Sequence, residues 1–149
     1  MRHLDDPSAM PADAALAAVA EAARAIAGAR SSGVDPREVI VQVALAVAGA
    51  DLAVLRLPDG LRLARRPGSP PLPPGLQALP PGPGVPQALL DADGCSSLHA
   101  EPFDGGLLAV AWRDRVDRLP REIIAAIRVL ADLAAVANER ARLLLLRAA

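Results

Sequence analysis

Lysine and tyrosine are absent from this sequence of 149 residues, and cysteine, tryptophan and phenylalanine each occur once. A single thiol, Cys95, excludes an internal disulfide and a multi-cysteine metal site. Because aromatic side chains are so few, a core has to be packed from Ala, Val, Leu and Ile, which supply most of the 52% of residues that are hydrophobic. The length fits one domain.

A strong net charge is also missing. All 16 basic residues are Arg, and the formal net charge is −1. A chain without a large basic field is a poor candidate for binding nucleic acid. No run of 18 or more apolar residues could span a bilayer, because Glu21, Arg24, Arg128 and Asp132 interrupt the two longest apolar segments. We expect no nucleic-acid or membrane partner and, without a signal peptide, a cytoplasmic location.

Helical periodicity begins near the N-terminus. After a polar leader, Pro11 suits a first helical turn, and an Ala-rich helix is predicted to run to about Arg30. Its apolar residues recur at steps of three and four and form one narrow seam, a pattern typical of helices that pair. We therefore take residues 1–33 as a leader and dimerisation helix. The seam consists of Leu16, Val19, Ala23 and Ile26.

The middle of the chain predicts a helix followed by hairpins. Asp35, Pro36 and Glu38 have the spacing of a capped helix start, and Gly49 ends that helix. Two strands, 52–57 and 61–66, then flank a Pro-Asp-Gly turn. After a loop come a short helix at 87–90, a strand at 95–101 and a strand at 107–112. The last of these is apolar on both faces and is predicted to be central in the sheet.

The loop covers residues 67–86, of which nine are Pro and four are Gly. Proline removes backbone donors, so neither a continuous helix nor an interior strand is expected there. A stiff connection within the domain is the favoured interpretation. A polyproline ligand for an SH3-type partner is the alternative, although no Lys or Arg closely follows its central Pro-rich stretch.

The C-terminal helix is predicted to start near Pro120 and to extend to Arg147. Its main apolar row steps by four and three without a break, as in a heptad seam. A second row widens the apolar side, so that one row can lie on the sheet while the other meets a neighbouring helix. The main row is Ile123, Ile127, Leu130, Ala134, Ala137, Ala141 and Leu144, and the second is Ala126, Val129, Leu133, Val136 and Leu143.

Four stretches of this pattern resemble the GAF family of signalling domains: GADLAVLRL at 49–57, GCSSLHAEPF at 94–103, GLLAV at 106–110, and LADLAAVANERARL at 130–143. The last resembles the exit helix that joins such domains to signalling outputs. The resemblance implies an α+β fold over 34–149, with a central antiparallel sheet and the N- and C-terminal helices on one face. It also implies a small-molecule pocket on the other face. PAS domains share this general plan.

Few residues are candidates for chemistry. Cys95 and His99 lie four apart, which on a strand would place both on one face with Ser97, so these three are the pocket candidates. Nucleophilic catalysis needs a third orienting group, and zinc needs three or four protein ligands. We therefore expect no catalytic residue, no metal and no cofactor, with Cys95 as a small buried hydrophobe.

Two ligand chemistries known in the family are disfavoured. Members that reduce methionine sulfoxide use several cysteines, and those that bind cyclic nucleotides carry a set that includes Lys. Two arginine clusters could hold an anion, but charged groups at strand ends and in loops are usually solvated. The clusters are Arg62, Arg65 and Arg66, and Arg113, Arg115, Arg118 and Arg121.

The favoured function is a non-catalytic regulatory or sensory module that binds a small molecule, pairs with a second copy through its terminal helices, or does both. The predicted dimer interface is Leu16, Val19, Ala23, Ile26, Ile127, Leu130, Ala134, Ala137, Ala141 and Leu144. One alternative is an interaction scaffold with a collapsed pocket that binds a signalling protein. A weaker alternative is a thiol-dependent enzyme that uses Cys95.

Overall fold

The computed structural model describes residues 10–28, 33, 35–58, 60–69, 71 and 84–148. The polar leader before Met10 and most of the Pro-rich loop lie outside these residues. The predictions of a stiff connection and of a polyproline ligand concern that loop. The described part contains four helices and four strands. In chain order they are α1 (Ala12–Ala27), α2 (Pro36–Ala48), β1 (Leu52–Leu57), β2 (Gly60–Arg65), α3 (Gln87–Ala92), β3 (Ser97–Phe103), β4 (Gly106–Trp112) and α4 (Arg121–Ala148).

The second helix begins and ends as its sequence predicts. The Asp35 carboxylate accepts a hydrogen bond of 3.0 Å from the Arg37 backbone N–H, and Pro36 occupies the first turn. Gly49 ends α2 in the left-handed conformation, with φ 57°. The first helix is shorter than expected: it ends at Ala27, before Gly28, because glycine is a poor helix former.

The sheet is antiparallel throughout, in the order β2-β1-β4-β3. Two hairpins are joined by the central β1–β4 pair, in which Leu52 lies opposite Ala111. All six residues of β1 are buried, as are the last five of β4. The prediction that the segment 107–112 is a central strand is confirmed.

The third strand starts two residues later than predicted. Gly94 turns the chain with φ 67°, and the Cys95 N–H donates to the Leu90 carbonyl at 2.9 Å. Cys95 is thereby held at the end of α3, and regular pairing with β4 begins at Ser97. The local turn that closes α3 outweighs the alternating pattern of 95–101.

The main core lies between one face of the sheet and the helices α1, α2 and α4. It contains alternate residues of β1 and β4 and the buried rows of the three helices. Each fully buried Leu, Ile or Val stabilises the fold by about 1.5–3 kcal/mol relative to exposure. Trp112 anchors this layer through a 3.2 Å hydrogen bond from its indole N–H to the Ala48 carbonyl. The structure therefore confirms an α+β fold with the terminal helices on one face.

A smaller core lies on the opposite face of the sheet, beneath α3. Leu89 and Leu90 of this helix cover Leu52, Val54 and Ala111. Among the described helices, none combines the length and the apolar character needed to cross a membrane.

The backbone of β1 approaches the start of β4 so closely that Gly106 has no room for a side chain. A Cβ on Gly106 would clash with the Arg56 carbonyl oxygen and lie 2.7 Å from the Phe103 ring. We expect Gly106→Ala to lower the free energy of unfolding by about 1–3 kcal/mol, because the added methyl overfills this site. Urea unfolding followed by Trp112 fluorescence measures the change.

Gly28→Ala is the matched control, because its Cβ would find ordinary contacts at 3.6 Å. That variant should keep or gain stability, by up to about 1 kcal/mol. Equal urea midpoints for the two variants would show that the approach at Gly106 is not tight.

Candidate functional site

The sheet separates the two residues of the sequence that could do chemistry together. Cys95 packs with the smaller core beneath α3. His99 pairs across the sheet with Val110, whose side chain lies in the main core, so His99 faces the helices. The expectation that Cys95 and His99 share a face is wrong, because Cys95 precedes the strand and its alternation.

Ser97 and His99 make structural contacts instead. The Ser97 hydroxyl accepts a 2.8 Å hydrogen bond from the Val116 N–H. His99 Nε2 lies 2.9 Å from a Glu101 oxygen, and the other Glu101 oxygen accepts from Arg128 Nε at 3.2 Å. These bonds tie β3 to α4 and to the segment before it. Among the described residues, no group of three or more His, Cys, Asp and Glu could hold a metal ion.

The surroundings of Cys95 keep its thiol protonated. Burial is the main cause, and the negative charges of Asp93 and Asp51 add to it, so that its pKa rises to about 11. A thiol with such a pKa carries little thiolate near neutral pH, and the thiolate is the nucleophilic form.

We expect iodoacetamide to alkylate Cys95 at pH 8 at least about tenfold more slowly than the same thiol in the urea-unfolded chain. The thiolate is roughly a hundredfold scarcer, and its higher intrinsic nucleophilicity recovers about tenfold of that. In the folded protein the rate should still be rising at pH 10, because the folded pKa lies above that value. A rate that levels off near pH 9 would contradict the raised pKa.

The face on which the GAF resemblance places a ligand pocket is packed by side chains under α3. Leu52 and Leu89 are fully buried there, and Val54 and Ala111 nearly so. Arg56, on the same face of β1, is 8% exposed and donates to the Gly84 carbonyl just before α3. Side chains of α3 thus cover this part of β1 and β4.

An ion cluster around two buried carboxylates, those of Asp51 and Asp93, fastens α3 to the sheet. The Asp93 side chain is fully buried, and its Oδ2 accepts a hydrogen bond of 3.2 Å from Arg65 Nε. Arg113 Nε donates to the Asp93 carbonyl at 3.0 Å. Asp51, also buried, accepts from the Arg113 backbone N–H at 2.8 Å and pairs with Arg66 at 3.2 Å. The cluster thus joins β1, β2, α3 and the segment after β4.

The two arginine clusters of the sequence therefore have mainly structural contacts. Arg65 and Arg66 of the first cluster and Arg113 of the second are joined through Asp51 and Asp93. Arg62 lies 3.9 Å from Asp35 and 4.0 Å from Glu38. Arg115 pairs with Asp117 at 3.6 Å. Sequence alone could not indicate this convergence, because the residues meet only through strand pairing.

Asp93→Asn should lower the free energy of unfolding by about 2–4 kcal/mol, because it leaves the largely buried Arg65 without a compensating charge. Urea denaturation reports the loss. Asp91→Asn serves as the control: the Asp91 side chain is exposed and accepts a hydrogen bond of 2.9 Å from Gln87, so a change within about 0.5 kcal/mol is expected. Equal stability of the two variants would mean that the cluster does not fasten α3.

The terminal helices carry the predicted dimer interface, and the structure corrects part of it. Ile127, Leu130 and Ala134 are at most 2% exposed, because α4 lies against α1, α2 and the sheet. Val19 of α1 is 7% exposed and belongs to the same core. In this fold these four residues cannot meet a second molecule, and a charge at Leu130 would disrupt the fold itself.

Three residues of the second row of α4 are exposed, whereas Leu133 is half-buried and packs on the main core. Val129, Val136 and Leu143 are exposed by 44%, 51% and 47%, although Ala126 at the start of the row is buried. Of the residues predicted for the interface, Ala23, Ile26 and Ala137 are half-buried, whereas Leu16, Ala141 and Leu144 are exposed. The two apolar rows are present as predicted, but the main row is the buried one as far as Ala134, and from Glu139 to Arg147 both rows are exposed.

The last three turns of α4 border a groove of about 750 Å³. Its other walls are the end of α1 at Ile26, the start of α2 at Pro36, and Pro58 after β1. The α4 wall presents mainly small and aliphatic residues, Ala137, Ala141 and Leu144 among them. Sequence reasoning did not find this site, because its walls come from four separate segments.

Comparison of the chain with protein-family models, with curated proteins and with solved structures finds no significant match in any of the three. The likeness to GAF domains therefore stays a resemblance of sequence pattern.

Proposed function

We propose that this protein is a non-catalytic regulatory module, GAF-like in plan, that forms a homodimer through the exposed row of α4. The observation that carries the proposal is the exposure of Val136 and Leu143 on a helix whose other row is buried in its own domain only as far as Ala134. An apolar row of this kind on a helix is stabilised when a partner covers it.

The charges beside this row favour a second copy as the partner. In an antiparallel pair of α4 helices, Val136 of one copy can lie opposite Leu143 of the other. The same register places Asp132 opposite Arg147, so that opposite charges meet at both ends of the contact. All four residues are exposed. The paired segment from 132 to 147 is about 22 Å long at the helical rise of 1.5 Å per residue.

The surroundings of Cys95 and His99 support a role without catalysis. The thiol is protonated near neutral pH, and the imidazole lies on the other face of the sheet. The scaffold alternative shares the packed face under α3 but assigns the α4 surface to a different signalling protein. Such a partner would not require the charges of α4 to complement each other. A cytoplasmic location stays a prediction.

We expect the wild-type chain to dimerise reversibly and Leu143→Glu to shift it to the monomer by at least about tenfold in dissociation constant. The substitution places two glutamates in the contact, one from each copy, against apolar side chains. Sedimentation equilibrium over a range of concentrations measures the constant. Leu98→Glu is the matched control, since Leu98 is equally exposed, at 46%, but lies on β3.

Charge reversal tests the register. Asp132→Arg and Arg147→Asp should each weaken the dimer, and the double variant should restore it, because the swapped charges again attract. A wild-type chain that stays monomeric at high concentration would refute the dimer. A dimer that ignores Leu143→Glu would refute this surface.

A further inference from the structure

The groove beside the end of α4 has the size of a small-molecule site. Its volume of about 750 Å³ lies within the usual range of roughly 300–1,000 Å³ for ligand pockets. Its position differs from the sheet face of the GAF resemblance, because its walls come from the end of α1, the start of α2, Pro58 and α4. It borders the outer row of α4 through Val136 but does not include Leu143.

The lining indicates an aliphatic ligand. The apolar residues that line the groove are Ile26, Pro36, Pro58, Val136, Ala137, Ala141, Leu144 and Leu145. No aromatic residue is among the described lining residues, so a flat ring would find nothing to stack on. Asn138 is the one uncharged polar side chain in this lining, which is too few for a sugar or nucleotide.

The charges at the rim leave one cation uncompensated. Asp35 is engaged by Arg37, with Nε 3.1 Å from one carboxylate oxygen and Nη2 3.3 Å from the other. Burial raises the pKa of Asp35, but the hydrogen bonds from Arg37 and the charges of Arg37 and Arg62 outweigh it and hold the pKa below its usual value. Asp35 is therefore ionised at neutral pH and balances Arg37.

The other two cations of the rim are on α4. Arg142 pairs with Glu139, at 2.7 Å. Arg140 lines the groove and makes no ion pair with any residue in the described part of the chain. The groove thus combines an aliphatic wall with a single available guanidinium, which can bind one carboxylate through two parallel hydrogen bonds.

We propose that this groove binds a free, unbranched aliphatic carboxylate, with the hydrocarbon chain along Ala137, Ala141 and Leu144 and the carboxylate on Arg140. The two alanines leave the space that the chain occupies. Binding does not require the dimer, because the groove is formed by one copy of the chain.

Decanoate is the probe, and decanol is its uncharged counterpart of the same chain length. Calorimetric titration of the full chain should show one decanoate per chain and weaker binding of decanol, by about fivefold or more, since decanol lacks the charge-assisted contact. Arg140→Gln should weaken decanoate binding to the level of decanol and leave decanol unchanged. Arg118→Gln, which removes an exposed charge outside the groove, should alter neither.

Two further variants place the ligand. Ala141→Phe, at an exposed position, should fill the groove and abolish binding of both probes without unfolding the chain. Leu143→Glu should retain decanoate binding within about twofold even when it is monomeric, which separates this proposal from that of the dimer.

Four results would overturn the proposal. They are no binding of decanoate to the wild type, equal affinity for decanol, an equal loss in Arg118→Gln, and an Ala141→Phe variant that loses the dimer but keeps the ligand. The last result would assign the groove to a second copy of the chain.

Discussion

The burial of one apolar row of α4 against α1, α2 and the sheet is the constraint on which the rest of the structure depends. Ile123, Ile127 and Leu130 have almost no exposed surface, and their position sets the rotation of the whole helix. Because an α-helix has 3.6 residues per turn, fixing that row also fixes which residues point away from the domain. Val129 and Val136 point outward as a direct consequence, whereas from Glu139 to Arg147 both rows of α4 are exposed.

A core of small aliphatic residues suits this arrangement. Alanines of α1, α2 and α4 contribute to the main cluster, so the helices can approach one another and the sheet closely. The single Trp112 fills a larger space and is fixed by its hydrogen bond to α2. The two faces of the sheet are covered in different ways. Apolar residues of α1, α2 and α4 cover one face, and α3 with its ion cluster covers the other.

The closure by α3 bears on function. A ligand bound on the face of the sheet beneath α3 would have to displace the contacts that Leu89 and Leu90 make with β1 and β4. The bonds of Asp93 with Arg65 and Arg113 hold α3 against that face, and opening it would leave buried charges unpaired. The C-terminal half of α4 exposes apolar side chains, and there the proposed dimer contact and the proposed carboxylate groove are neighbours.

Most of the element order could be read from the sequence, because its signals are local. The Asp35-Pro36 helix start, the Gly49 stop and the apolar strand 107–112 depend on residues close together in the chain, and all three are confirmed. The start of β3 was missed, because a hydrogen bond from Cys95 to the end of α3 competes with the strand pattern.

The sequence by itself determined that α4 has two apolar rows, that no large basic field exists and that one thiol is present. Only the tertiary structure decided which row is buried, that Cys95 and His99 lie on opposite faces, and that distant arginines meet at Asp93. Periodicity specifies which residues share a face of an element, but not which neighbour covers that face. Contacts between segments far apart in the chain decide which neighbour covers each face, and these contacts form only when the domain folds.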